Sequence, residues 1–466
     1  MTQTFGGAAI EALREAMAGP VFTAEDRGYD EARTVWNAGI DRRPGVIARC
    51  DSKADVVAAV GFARERSLDV AVRGGAHNAA GTAVCDDGLM IDLSRLNEVT
   101  VDPQARRARV GGGALLNDVD TATQVHGLAV PTGMVGHTGV GGLTLGGGMG
   151  WLTRRFGLTI DNLVSAEVVT ADGQVRRASP DEHADLFWAI RGGGGNFGIV
   201  TEFEFRLHEV GPMVQFGLFF WGLDQGAEVM RLTRDLIAAM SPDVNAAFVA
   251  MNAPPAPFVP EEHQLEPGYA LMVGGFGSGA EHDDVVARIR TELPPLFELV
   301  TPMPYVALQT LIDEANAWGS HAYEKGTYVE DLSDDVIEVV TEHVRRKNSP
   351  MSIVFFVRLD GAYCDVADED TAFGGDRSPR FEVFIVAFAP DPTLLAADRV
   401  WVRDLWDALR PHAIGAGGGY VNGTVEFGED RLRGIYGPAK YDRLAQIKGI
   451  YDPANLFHLN GNIKPQ

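Results

Sequence analysis

Ten of the 26 residues from Gly133 to Leu158 are glycine, in the run GMVGHTGVGGLTLGGGMGWLTRRFGL. No regular helix or strand can run the length of such a stretch, because glycine weakens both. A solvated linker is no better, since Val140, Leu143, Leu145, Met149 and Trp151 are too apolar for one. The pattern predicts a buried, closely packed turn structure that offers backbone N–H groups to a large flat or anionic ligand. Glycine makes up 55 of the 466 residues, and much of the excess lies between Gly74 and Gly198. Over that region backbone must approach backbone, or a ligand, closely.

A second small-residue loop, RGGAHNAAG from Arg73 to Gly81, follows SLDVAV, which reads as a short buried strand. His77 is its one bulky side chain, between Gly74, Gly75 and Ala76 on one side and Ala79 and Ala80 on the other. A lone histidine among apolar residues is ordinarily a satisfied core residue, but these neighbours leave room for something large beside the ring. His126 and His137 make no metal spacing with it, and no compact His/Cys/carboxylate set can be assembled. Gly193, Gly195 and Gly198 form a GxGxxG. Here, however, a helical pattern precedes it and a strand follows, the reverse of a Rossmann dinucleotide site. A P-loop and a GxSxG nucleophile elbow are both missing from the sequence.

The length predicts two or three domains or subdomains. With 45% hydrophobic and 22% charged residues the composition is that of a soluble globular chain. A formal charge of −24 argues against nucleic acid or an anionic membrane surface as the partner. The opening stretch MTQTFGGAAIEALREAMAG has neither a basic start nor an uninterrupted apolar segment, so no secretory leader is expected. No run approaches the ~18 apolar residues of a membrane span. Cys50, Cys85 and Cys364 lie too far apart for a CxxC site or a disulfide framework. A cytoplasmic protein without a metal is the expectation, with the oligomeric state open.

Periodicity divides the chain further. SKADVVAAVGFARERS reads as a helix starting at Ser52, and ALLNDVDTATQVHG and PDEHADLFWAIRG as two more. GLMIDLSRL, EVTVD and RRARVGGG read as short strands, and Asp172-Gly173 joins two strands of a hairpin. The strand pattern FGIVTEFEFRLHEVG closes the first region near Pro212. From about 212 to 415 long apolar strands alternate with amphipathic helices, which predicts an antiparallel sheet with helices on one face. In LSDDVIEVVTEHVRRKN, Val336, Val339, Val340 and Val344 form the apolar stripe. Proline-rich residues 254–267 read as a surface loop. In the strand SIVFFVRL, alternation puts Ile353, Phe355 and Val357 on one face and Arg358 on the other.

RGGAHNAAG, GHTGVGGLTLGGGMGWLTRRFGLTIDNLVSAEVVTADG, DLFWAIRGGGGNFGIVTEFEF and YDPANLFHLNGNI, in that order, resemble the berberine bridge enzyme branch of the vanillyl-alcohol oxidase flavoproteins. The likeness is nearest to bacterial 6-hydroxy-D-nicotine oxidases and polyketide-tailoring, enterocin-type flavoenzymes. It implies an α+β, two-domain fold: a PCMH-type FAD-binding domain at 1–211, completed by 416–466, and a substrate domain at 212–415 with a helix-covered antiparallel sheet. It implies FAD bonded covalently to His77. It places Arg73, Gly74, Gly75, Ala76, Asn78, Gly81, Gly133, Val135, His137, Thr138, Gly141, Gly142, Thr144, Gly147, Val200, Asn460 and Asn462 at the cofactor. Val135 stands where some members carry a second, cysteinyl link, so no such link is expected. Tyr420 and Asn422 match the family's Tyr-x-Asn. Tyr420 is the candidate for proton handling or substrate positioning, with a buried structural tyrosine as the alternative.

The strand at 353–357 departs from the family's polar pattern, which leaves the catalytic base unassigned and implies an apolar pocket, with Phe384 nearby. The expected activity is oxidation of a C–OH or C–NH bond in a small hydrophobic or aromatic secondary metabolite, by hydride transfer to flavin N5 with molecular oxygen as reoxidant. Flavin-dependent oxygenation of a polyketide-like substrate and a flavin carrier without turnover are the alternatives.

Overall fold

The computed structural model describes residues 6–415 and 418–466. Met1–Phe5 of the opening stretch, and the expected 415/416 boundary, where Ala416 and Gly417 are not described, therefore lie outside the described residues. The first sheet runs Val21–Phe22, Val46–Arg49, Leu89–Asp92, Val70–Arg73, and its last three strands are parallel. Parallel strands need a crossover, and the helix Lys53–Arg66 supplies it. It begins where the Ser52 hydroxyl accepts the Asp55 N–H, and it buries Val56, Ala59, Val60 and Ala63. The strand Val70–Arg73 ends at the edge of the His77 loop.

A second sheet, all antiparallel, runs Val99–Asp102, Arg107–Gly111, Ile199–Arg206, Leu163–Val169, Val175–Ala178. Its last pair is the Asp172-Gly173 hairpin, with Gly173 at φ +80°. The helices Glu429–Tyr436 and Pro438–Tyr451 return to this sheet, and Leu432, Ile435, Tyr441 and Leu444 share one core with Val110, Leu186, Phe203 and Phe205.

Seven antiparallel strands form the third sheet, in the order Phe297–Pro304, Met213–Gly222, Pro267–Gly275, Val244–Asn252, Ile353–Leu359, Arg380–Ala389, His321–Val329. One face packs against the helices Gly226–Ala239, Ala280–Glu292, Asp334–Val344 and Pro392–Leu409 through a core that includes Phe219, Val273, Phe356 and Ile385. On Asp334–Val344 the buried stripe is Val336, Ile337, Val340 and Val344. Val339 is only half-buried, because the helix leans toward Ile337. The other face looks back at the glycine-rich segment. Among the described residues no helix is long and apolar enough to cross a membrane, and no group of three His, Cys, Asp or Glu could hold a metal ion. The cysteines are free.

Polar side chains fasten the glycine-rich segment to this sheet. Buried Arg154 pairs with Asp360 at 2.5 Å and donates to the carbonyls of Val244 and Met240. Arg377 grips Asp161 with both terminal nitrogens, at 2.9 and 2.8 Å. Gln309 Nε2 donates to Asp120 Oδ2, Thr132 Oγ1 and the Gly133 carbonyl. Burial around Asp120 pushes its carboxyl up to about 7, with the Gln309 donor opposing. An unfolded aspartate titrates near ~3.9, so this group costs folded stability as pH rises from ~4 through 7. Asp120→Asn keeps the acceptor and removes the charge. Its stability gain over the wild type should be near zero at pH 4 and grow to as much as ~4 kcal/mol at pH 8.5, read by denaturant unfolding at both pH values.

Candidate active site

The apolar face of the third sheet and the glycine loops enclose a cavity of about 1020 Å³. One wall begins with Gly74, Gly75, Ala76, His77 and Asn78. Ala76 sits in the left-handed region at φ +52°, and its carbonyl accepts the Trp36 N–H at 3.1 Å. The backbone N–H groups from Gly75 to Asn78 donate to no other group among the described residues. The wall continues with Gly133, Val135, Thr138, Gly141 and Gly142, then Gly194, Gly195 and Val200. The two loops meet backbone to backbone: a Cβ on Gly75 would stand 2.3 Å from the Gly139 nitrogen, and one on Gly139 2.2 Å from the Gly75 nitrogen.

His77 lines the cavity, and its Nε2 is buried without a hydrogen-bond partner. Burial, reinforced by nearby His137, pushes its imidazole down to about 3. The ring is therefore neutral at physiological pH and keeps a lone pair. Trp36 stacks on it with centroids 4.5 Å apart and planes 18° apart. Asn37 ties the same segment to the sheet, donating to the carbonyls of Ala79 and Ala322. Asn460 also lines the cavity, and the Oδ1 atoms of Asn460 and Asn462 are buried without partners.

Tyr420 is 5% exposed and lines the cavity with Asn422. Its phenol oxygen accepts the Gly148 N–H at 2.8 Å and the Asn422 side-chain N–H at 2.9 Å. Gly147 and Gly148, at φ +133° and +78°, make the turn that aims the Gly148 N–H. Both acceptor positions of the phenol are thus filled, and its own O–H remains to donate. Burial pushes the phenol above its usual range, against those two donors, so it stays protonated.

The opposite wall is apolar. Val249, Phe355 and Phe384 lie in one row across three strands, and Phe216, Leu218, Ile353, Val357 and Val386 extend it. Arg358 stays on the outer face of its strand, paired with Asp360 and over the Phe381 ring. Apart from His77, the one acidic or basic side chain lining the cavity among the described residues is Glu314, which is exposed. Residues 254–267 are more than a surface loop, since Pro254, Phe258 and Leu265 reach the cavity.

Several expected site residues stand behind the wall. Arg73 donates to the carbonyls of Ala32 and Thr34, which anchors the loop from outside. Gly81 packs on Ile40, Thr144 is buried in its helix, and Gly147 lies against Phe373. His137 and Asn462 are likewise set back from the lining. Sequence reasoning missed Trp36 and Asn37, which carry no motif and meet His77 only in space. It also missed Glu382, a fully buried carboxyl that accepts the Tyr420 N–H at 3.4 Å and that burial pushes well above the usual carboxylate range.

The lining suits FAD: a glycine cradle with free N–H donors, the unpartnered imidazole nitrogen of His77, and the unpartnered amide oxygen of Asn460. Residues 44–179 match the model of an FAD binding domain, and residues 419–464 the berberine and berberine-like model. The chain is 31% identical over 454 residues to an FAD-linked oxidoreductase of Dictyostelium discoideum, covering 97% of this chain and 96% of that protein. It is also 31% identical over 464 residues to the (R)-6-hydroxynicotine oxidase of Paenarthrobacter nicotinovorans, covering 96% and 97%. The crystal structure of 6-hydroxy-D-nicotine oxidase from Arthrobacter nicotinovorans superposes with a TM-score of 0.84 at 28% identity, over 97% of this chain and 98% of that one.

Gly139→Ala should abolish flavin retention, since its methyl has no room against Gly75. The visible flavin absorbance of the purified protein, relative to that at 280 nm, should fall at least tenfold. Gly428→Ala, where a Cβ meets nothing within 4 Å, should leave it unchanged.

Proposed function

Because this chain belongs to the berberine bridge enzyme-like FAD-linked oxidoreductases, with their α+β PCMH-type fold, we propose that it is an oxidase holding FAD covalently at His77. The observation that carries this reading is the buried, unpartnered Nε2 of a neutral His77 on the cavity wall. Residues 1–211 with 416–466 form the cofactor half in this reading, and 212–415 the substrate half. FAD, when bound, supplies the two-electron acceptor that takes hydride from a C–OH or C–NH carbon and passes electrons to oxygen. Val135, on the cavity wall, offers no sulfur, so the histidyl link stands alone.

The chain's own residues bind and orient. N–H groups of the His77 loop and of Gly141 and Gly142 would hold the pyrophosphate, and Asn460 would bind the cofactor through its free amide oxygen. Tyr420 donates its hydroxyl proton to the substrate heteroatom and so positions it, while Gly148 and Asn422 hold the phenol still. The wall of Phe216, Phe355, Phe384 and Val386 selects a hydrophobic or aromatic substrate and excludes water.

Acid denaturation of the purified protein tests the covalent link. The flavin should stay with the polypeptide in the wild type and be released from His77→Ala, and flavin washing freely from the wild type overturns the assignment. Hydrogen peroxide should match substrate consumed one to one, whereas labelled oxygen appearing in product would make the protein an oxygenase. Tyr420→Phe should keep bound flavin but slow its anaerobic bleaching by substrate at least tenfold, in line with one lost hydrogen bond of about 1.5–3 kcal/mol.

A further inference from the structure

His77 has a second imidazole beside it. His137 tilts against its ring with centroids 5.0 Å apart and planes 34° apart. Trp36 is fixed in turn, stacked on Phe388 at 5.5 Å with its indole N–H donating to the Asn316 carbonyl at 2.7 Å. His137 is set back from the cavity and fastened by Asp313. Gly136 N–H donates to Asp313 Oδ1 at 2.6 Å, and His137 Nε2 lies 3.4 Å from the Asp313 carbonyl oxygen.

A carbonyl oxygen can only accept, so this contact is satisfied by the tautomer with the proton on Nε2. Nδ1 then carries a lone pair, and it is buried with no hydrogen-bond partner. Buried polar atoms are nearly always partnered, so two adjacent imidazoles with one unpaired nitrogen each need a reason. Stacking does not supply one, because a phenyl ring at 137 would fill the same space.

We propose that His137 is the proton-accepting residue that assists covalent attachment of FAD at His77. This rests on the covalent reading above. In that attachment an imidazole N–H and a methyl C–H of the flavin are lost and one N–C bond forms. Two protons and two electrons leave, and molecular oxygen takes them as hydrogen peroxide. One of those protons needs an acceptor beside His77, and among the described residues no carboxylate oxygen hydrogen-bonds either ring: Asp313 Oδ1 takes the Gly136 N–H, and Glu314, the one carboxylate on the lining, is exposed. The free Nδ1 of His137 is the basic lone pair beside His77.

The test uses the full chain, with His137→Phe, His137→Gln and His137→Ala beside the wild type. Each is incubated in air with added FAD, and the covalent share of the bound flavin is followed by acid precipitation. The wild type should become fully covalent. The Phe and Gln variants should bind FAD but link it at least tenfold more slowly, and added imidazole should restore the rate in His137→Ala. A merely structural residue would give no such rescue. Glu314→Gln should link at the wild-type rate. Linkage at the wild-type rate in His137→Phe or His137→Gln overturns the role of His137 while leaving the bond at His77 intact. A wild type that never links overturns the covalent reading itself.

Discussion

The backbone contact of Gly75 with Gly139 is the constraint on which the cavity depends. Each loop carries half of one wall, and neither tolerates a methyl group at the contact. Because they touch, His77, the open N–H groups of its loop and the helix Val140–Gly146 share one surface. A side chain at either position would separate the walls by more than an ångström, enough to misplace a dinucleotide along its whole length. The glycines that weaken regular structure thus make room for a ligand instead.

The seven-stranded sheet works as a two-sided object. One face is buried under four helices and behaves as ordinary core, while the other is equally apolar yet faces a cavity. Exposed apolar area of that size is costly unless something covers it, and here the cover is the glycine-rich segment and whatever the cavity holds. Arg154, Arg377 and Asn245 hold the two together with buried hydrogen bonds to partners on the other side. From the N-terminal side, Trp36 and Asn37 bind the His77 loop to the strand His321–Val329 and to Phe388. The His77 ring is therefore positioned by both halves of the chain.

Much of this was legible in the sequence because it depends on local rules. The Ser52 cap, the Asp172-Gly173 hairpin and the alternation that turns Ile353, Phe355 and Val357 to the cavity each follow from periods and turn chemistry. The glycine block was legible as close packing, though its short helices Val140–Gly146 and Thr153–Phe156 were not, since glycine content hides helical period. The roof formed by Pro254, Phe258 and Leu265 was illegible, because a proline-rich acidic stretch looks the same whether it meets solvent or a cavity.

The sequence by itself determined where backbone must lie bare, where apolar faces alternate, and that one histidine sits among residues too small to fill the space beside it. These are properties of neighbours along the chain, set by sterics and period. Only the tertiary structure decided what stands against that histidine. Trp36, His137 and Phe388 come from segments that share no motif with RGGAHNAAG, and Glu382 reaches Tyr420 across a strand. Such contacts depend on sheet order and loop closure, which no local pattern encodes. The same packing strips water from the His77 ring and keeps it neutral.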